Sequence, residues 1–445
     1  MKLSAATLAK VALFALMTKC ALTVYAHESA SAGPAPSRFS NETRLLADDG
    51  GREDYFGFSV AADGDTVLVG TPFDMTGMNP DSGSVYVYTK SESGWILESK
   101  LLPSDGQSFD AFGYAIDLLD DIAVVSAPYK QNNRGAVYVF ERVGGVWQES
   151  SIIYAQDGLD NDIFGSAVAL SDTSIFVGAP SDDSGRGSAY VFTRSSEDWV
   201  QSAKLIAADR AQGDSFGIAL GVDGSSLVIG ASLDDSEPNQ NAGSVYEFLF
   251  INGVWQQSSK ILMNEIAQNT QFGASLDLGA GGLIVGAPGA RSGIVDSAGV
   301  VSYFRKTSGT WQQTQTLISE SPILGGAFGA SLSANDDVVL VGAQGESVAG
   351  ISNRGVVYQY VLSDGGLVQE GVLLPSDGTG GDFFGCAVAI SHEYAVVGAL
   401  TADVGANSDQ GVAYAFVNLA TQTVIGSLSP SPSVVGQSYL VPVSV

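Results

Sequence analysis

Carboxylates gather in this chain at places where they could hold a cation or a basic surface. Asp182 and Asp183, with Arg186 beside them, lie in "SDDSGR", and Asp234, Asp235 and Glu237 lie in "LDDSEPNQNA". Such groups either attract positive charge or serve as turn formers that keep a chain soluble. A second series stands two places before a Phe-Gly pair: Asp54, Asp110, Asp162, Asp214 and Asp382. It reads as a ring of weak metal ligands or as an Asx-type turn leading into a strand, and turn chemistry is the simpler account. Nucleophilic catalysis has little to work with. Cys386 fills a slot held elsewhere by Phe58, Tyr114, Ser166, Ile218, Ala274 or Ala330, and His392 is the one histidine after His27. A His-assisted triad is not legible in that pair. There is no phosphate-cradling glycine loop and no Cys/His metal spacing. Five tryptophans (Trp95, Trp147, Trp199, Trp255, Trp311) have the ring for stacking on sugars, but their equivalent positions argue for packing between repeated units. Asn41-Glu42-Thr43 is a single N-glycosylation sequon.

These residues are positioned by a repeat. Phe-Gly occurs at Phe56, Phe112, Phe164, Phe216, Phe272, Phe328 and Phe384, at intervals of 52 or 56 residues. Fourteen residues after each Phe stands Gly70, Ser126, Gly178, Gly230, Gly286, Gly342 or Gly398. A third anchor opens "GSVYVY" and its variants: Gly83, Gly135, Gly187, Gly243, Gly299, Gly355 and Gly411. From each of these glycines to the glycine of the next Phe-Gly the distance is always 30, so all length variation falls in one loop, between the second and third anchors. Fixed spacings repeated seven times mark an array of structural units.

Each unit reads as four short strands: "FGFSVA", the continuous apolar run "TVLVG", the Tyr-bearing "SVYVY", and "WILESKLL". One antiparallel meander cannot bury both faces, but seven around an axis can, which predicts an all-β, seven-bladed β-propeller of four-stranded antiparallel blades. The seventh unit loses its fourth strand after Phe416. A matching "TRLL" precedes the first unit, so Thr43 to Ala47 are expected to close the ring as its N-terminal strand. "QTVIG" in the tail is the competing candidate.

Composition agrees. Hydrophobic residues make up 45% of 445, enough for a large core, and 48 acidic residues against 20 basic ones give a formal charge of −28. That field repels phosphate backbones and anionic membranes and leaves cations and basic proteins as partners. Residues 1–26 read as a signal peptide, with Lys2, Lys10, the apolar "VALFALM" and small residues near Ala26. Residues 27–42 then read as a linker, 43–417 as the propeller and 418–445 as a tail. No other stretch approaches the about 20 apolar residues of a membrane span. With Cys20 in the leader, the fold must hold without an intrachain disulfide.

Phe-Gly with Gly178-Ala179-Pro180 and Gly286-Ala287-Pro288 resembles the FG-GAP repeats of the integrin α-chain propeller, over residues 43–417. The resemblance implies extracellular recognition, commonly adhesion or matrix contact, by a secreted or cell-surface protein. It also implies Ca²⁺ loops of the type D-x-D-x-D-G. The corresponding turns here, such as "AADGDT" and "LGAGG", supply too few spaced oxygens, so no cofactor is expected. In a meander the 2–3 and 4–1 loops share a face, and here they hold 26 acidic and 7 basic residues. The expected function is therefore non-enzymatic binding of an extracellular protein, matrix or glycan through that acidic face, where Asp182, Asp183, Arg186, Asp234, Asp235 and Glu237 are the candidate contacts. A lectin-like propeller is the alternative, and a hydrolase or lyase using channel carboxylates a weaker one.

Overall fold

A computed structural model describes residues 37–420 apart from Glu197 and Glu237. The leader, the tail from 421 with its "QTVIG", and the candidate Glu237 thus lie outside the described residues. The described chain forms seven four-stranded antiparallel sheets. Blade 1 is Ser59–Asp63, Thr66–Thr71, Ser84–Ser91 and Gly94–Leu101, paired in sequence order. Blades 2 to 6 repeat this meander over 116–153, 167–205, 216–261, 275–317 and 331–373. Their inner strands touch in ring order, and blade 7 returns to blade 1. The all-β propeller predicted from the repeat is the fold observed.

Burial follows strand position. Every residue of Thr66–Thr71 and of its counterpart Ser174–Ala179 is buried, since the second strand is covered by a blade on either side. Outer strands alternate instead, with Thr310–Leu317 exposing every second residue. The tryptophans pack between blades, as their spacing suggested. Trp95 meets Tyr394 of blade 7 edge-on at 4.9 Å, and Trp255 meets Phe176 of blade 3 at 5.4 Å. Each also faces a cross-strand partner on the third strand. Lys90, Arg142, Arg194 and Lys306 lie 5.1–5.8 Å over Trp95, Trp147, Trp199 and Trp311, and Phe250 takes that place beside Trp255.

The three sequence anchors meet at one joint between neighbouring blades. Phe112 is fully buried, its N–H donates back to Ser82 of blade 1 at 2.9 Å, and Gly83 forms a parallel bridge with it. A Cβ on Gly83 would sit 2.0 Å from the Phe112 carbonyl oxygen, and one on Gly70 2.3 Å from that of Gly113. Gly83 and Gly113 also have φ of +86° and +95°. Backbone thus touches backbone where any side chain would intrude.

Closure is by the N-terminal strand, which starts earlier than its leucines indicate. Phe39–Leu45 pairs with Val412–Asn418, and Phe39, 3% exposed, faces Asn418 across a bulge between Ser40 and Thr43. The apolar anchor Phe39 extends the pairing beyond the "TRLL" match. Because this strand occupies the outer edge of blade 7, that edge is not open to the tail.

Trp147, 8% exposed, packs with Leu68, Val87 and Phe140 across blades 1 and 2. Trp147→Ala should lower unfolding free energy by about 3–5 kcal/mol without a selective binding defect. Chemical denaturation showing unchanged stability would refute the packing role.

Candidate functional site

The 2–3 and 4–1 loops share one face. At its base lies a polar cluster that recurs from blade to blade. In blade 1 the Lys100 ammonium sits between Asp49 at 2.7 Å and Asp74 at 2.8 Å, and the Tyr86 hydroxyl donates to Asp49 at 2.6 Å. Blade 3 repeats this with Lys204 at 2.6 Å from both Asp157 and Asp182, and with Tyr190 donating to Asp157 at 3.0 Å. Blade 4 uses Lys260, Asp209, Asp234 and Tyr246. In blade 2 the cation comes from the other element. Lys130 of the 2–3 loop, 2% exposed, reaches Asp105 and Asp110, while Ile152 stands where the strand lysine would be. In blade 7 Arg44 of the closing strand pairs with Asp377 at 2.9 Å.

Burial alone would raise the Asp157 carboxyl, but Lys204 and Tyr190 outweigh it and hold the group below its ordinary value. Asp49, Asp105 and Asp209 are held down in the same way. Burial would likewise lower Lys204 and Lys260, and their paired carboxylates raise both instead.

This cluster sorts the sequence candidates. Asp182 and Asp234 are 6% and 5% exposed, turned inward onto Lys204 and Lys260, so their charge is compensated within the blade. Their neighbours turn outward. Asp183, at φ +51°, lies on the surface between Arg186 at 3.3 Å and Arg210 at 3.4 Å. Asp235 is exposed and accepts the Asn241 N–H at 2.8 Å. The structure therefore places Asp183, Arg186 and Asp235 on the loop face and removes Asp182 and Asp234 from it. Spacing shows the lysines (Lys100, Lys204 and Lys260 each stand 17 residues after the third anchor), but reading composition by loop alone misses them.

The Asp before Phe-Gly is structural, with a geometry opposite to an Asx turn. Its carboxylate reaches back to the N–H three residues earlier, as from Asp110 to Gln107 at 2.9 Å and from Asp162 to Leu159 at 2.6 Å. Cys386 packs against Tyr55, Phe58, Phe73 and Leu400, and burial pushes its thiol up to about 12, so it is no nucleophile near neutral pH. The 1–2 turns do not fit a D-x-D-x-D-G calcium loop. Asp121 is tied to Arg142 at 2.7 Å, Asp63 accepts the Asp120 N–H, and the blade 5 turn has no carboxylate. Among the described residues no three His, Cys, Asp or Glu side chains converge as metal ligands.

With this geometry in hand, comparison with known proteins is direct. The FG-GAP repeat model matches residues 39–88, 95–140, 147–192, 199–250 and 367–416. The chain belongs to the FG-GAP repeat family. Over 189 residues it is 26% identical to integrin alpha-2 of Bos taurus, a match covering 37% of this chain and 16% of that protein. The family matches leave out 251–366, most of which builds blades 5 and 6. There the cluster lapses. Blade 5 keeps an acid, Glu265, at the Asp49 position but has Ala290, Ser302 and Thr316 where blade 1 has Asp74, Tyr86 and Lys100, and blade 6 keeps its buried acid but not its cation.

That acid is Glu346, 3% exposed, which accepts the Tyr358 hydroxyl at 2.7 Å while its other oxygen has no hydrogen-bond partner. Val372 stands at the lysine position. Burial pushes the Glu346 carboxyl from 4.5 to about 7, against the pull of neighbouring hydroxyls. An acid raised on folding favours the protonated native state, so its contribution is whole below about pH 4.5 and is lost as pH rises through about 7, by about 3 kcal/mol. Glu346→Gln should therefore flatten the decline of stability between pH 5 and 8, and Val372→Lys should raise stability at pH 8 by supplying the ammonium its sister blades have. Denaturation curves across that range check both, and a pH profile unchanged in Glu346→Gln contradicts the assignment.

Proposed function

We propose that this FG-GAP propeller is an exported, non-enzymatic recognition and adhesion module, secreted or held at the cell surface. It binds a basic extracellular protein or matrix ligand through the face of its 2–3 and 4–1 loops. The observation that carries this reading is the division of that face into two layers. Beneath, pairs of carboxylates share one lysine of the same chain. Above them, Asp183 and Asp235 remain exposed on a rigid frame. The similarity to integrin alpha-2 supports the same direction. Among the described residues, no helix is long and apolar enough to cross a membrane.

The reading requires no calcium. Export would also expose Asn41 to glycosylation, since it lies on the outermost strand, exposed, at the bulge of Phe39–Leu45. Hydrolase or lyase chemistry would use inner-strand carboxylates, and two are raised by burial, Asp117 to about 6 and Asp277 to about 7. Both are engaged in structure. Asp117 accepts the Leu118 and Leu170 N–H groups, and Asp277 accepts those of Leu278 and Ala334, bonds that tie blade 2 to 3 and blade 5 to 6.

Asp183→Asn with Asp235→Asn should leave stability within about 0.5 kcal/mol and weaken binding to a lysine-rich peptide by up to about 1 kcal/mol per charge. The interaction should fade between about 0.15 and 0.5 M salt. Titration calorimetry decides it, and peptide affinity equal in the double variant or insensitive to salt removes the acidic face as the docking surface.

A further inference from the structure

The sevenfold pattern breaks most at the seam between blades 4 and 5, and the breaks converge. Blade 5 turns between its first two strands through Gly279-Ala280-Gly281-Gly282, where every other blade carries polar or charged side chains. At Gly282 a Cβ would lie 2.6 Å from the Tyr303 ring, whose hydroxyl donates to the Ala280 carbonyl at 2.6 Å. The turn leans towards blade 6. The Ala280 N–H donates to the Asn335 carbonyl at 2.6 Å, and a Cβ on Gly279 would meet Ala334 at 2.7 Å. Over the turn, from Asp223 of blade 4 to Asp336 of blade 6, a cleft of about 950 Å³ opens. It lies on the face opposite the acidic loops.

Glu247 is fully buried in the third strand of blade 4, where other blades have Val, Tyr, Gln or Ala. It holds Lys306 at 2.6 Å across the seam, and Lys306 in turn covers the Trp311 ring at 5.2 Å. This chain of contacts fixes Trp311 as a wall. On its other side lies a second cavity of about 440 Å³, lined also by Gln312 and Gln313. The large cleft presents Asp223, Arg305, Thr307, Thr314 and Asp336. Most described lysines and arginines are ion-paired with described residues, whereas Arg305 has no such partner and is exposed.

We propose that this cleft is a saccharide-binding site, separate from the acidic face and independent of the function proposed for it. The volume is that of a ligand site. Asp223 and Asp336 with the unpaired Arg305 guanidinium place charges of both signs in one cleft, which suits neither a simple anion nor a simple cation. Together they accept from and donate to adjacent hydroxyls, the pattern of a neutral polyhydroxylated ligand. Trp311 lines both cavities and supplies an aromatic edge, and together they give room for more than one sugar residue.

An array of immobilised neutral hexose and N-acetylhexosamine oligosaccharides, probed with the full chain, tests this. Retention of a neutral oligosaccharide is expected, with affinity about tenfold lower in Arg305→Ala and in Asp336→Ala, and lost in Thr314→Trp, which fills the cleft from an exposed strand position. Asp183→Asn with Asp235→Asn should bind the same sugar unchanged, which separates this site from the acidic face. The proposal is overturned if no neutral glycan is retained, or if the cleft variants bind as the parent does. Retention of only sulfated or carboxylated sugars, lost in Arg305→Ala but not in Asp336→Ala, would also overturn it in favour of an anion site.

Discussion

The propeller depends on backbone touching backbone at seven joints. At six of them a glycine of one blade, the Phe-Gly of the next and the glycine fourteen residues beyond a Phe come within distances that admit no Cβ, as Gly83, Gly113 and Gly70 do, and at the joint of blades 2 and 3 Ser126 takes the last place. The buried Phe then fills the space behind the contact, edge-on to the Tyr of its blade, at 5.3 Å for Phe56 and Tyr86. This is why the interval of 30 residues never varies while the loop between second and third anchors does. Both ends of the variable loop are held by the joint, so its length changes no blade geometry. Closure by Phe39–Leu45 follows from the same requirement. A ring of joints distributes no load to an open edge, and blade 7 without an outer strand would leave one.

Charge is arranged around this frame in two layers. A chain with formal charge −28 must still bury carboxylates near the loop face, and each buried one is costly without a cation. The blades solve this by different routes to one geometry. Strand lysines serve blades 1, 3 and 4, a loop lysine serves blade 2, and an arginine of the closing strand serves blade 7. The exchange of Asp74 and Lys100 for Lys130 and Ile152 shows that the balance of the cluster, not the residue at either position, is what the fold requires. In blades 1 to 4 the lower layer sets one lysine between two carboxylates, and the outward layer adds Asp183, held between Arg186 and Arg210, and the exposed Asp235.

Much of this was legible before any coordinates, and the line between legible and hidden is physical. Glycine anchors are visible because only one residue type tolerates the contact. The closing strand is visible from its leucines, but its start is masked because a Phe replaces the Trp of the other outer strands: Phe39 stands six residues before Leu45 and faces Asn418, as Trp95 stands six before Leu101 and faces Lys90. The ion clusters were hidden for another reason. Lys100 meets Asp49 and Asp74 from positions 51 and 26 residues away, a relation that no local pattern carries. The doublets Asp182-Asp183 and Asp234-Asp235 looked uniform. One member of each points inward and the next outward, since consecutive residues of a tight turn cannot share a direction. The Asp before Phe-Gly was identified as a turn residue, but it reaches backward because the chain ahead of it is already committed to the joint.

The same frame explains how two faces can differ without disturbing each other. The loop face and the opposite face are separated by the fully buried second strands, so a change at one turn is absorbed by the neighbouring blade and not transmitted along the axis. Blade 5 is the case in point. It gives up the lysine-centred cluster on the loop face and its side chains in the glycine turn on the other, yet its joints to blades 4 and 6 keep the same contacts, with Gly243 against Phe272 and Gly299 against Phe328. What compensates the lost bulk is local: Tyr303 moves into the space above Gly282, and Glu247 with Lys306 ties the seam that the turn has left. A repeat held by its joints is free to vary everywhere else, so the departures that cluster at one seam mark where this propeller differs in kind from a uniform ring.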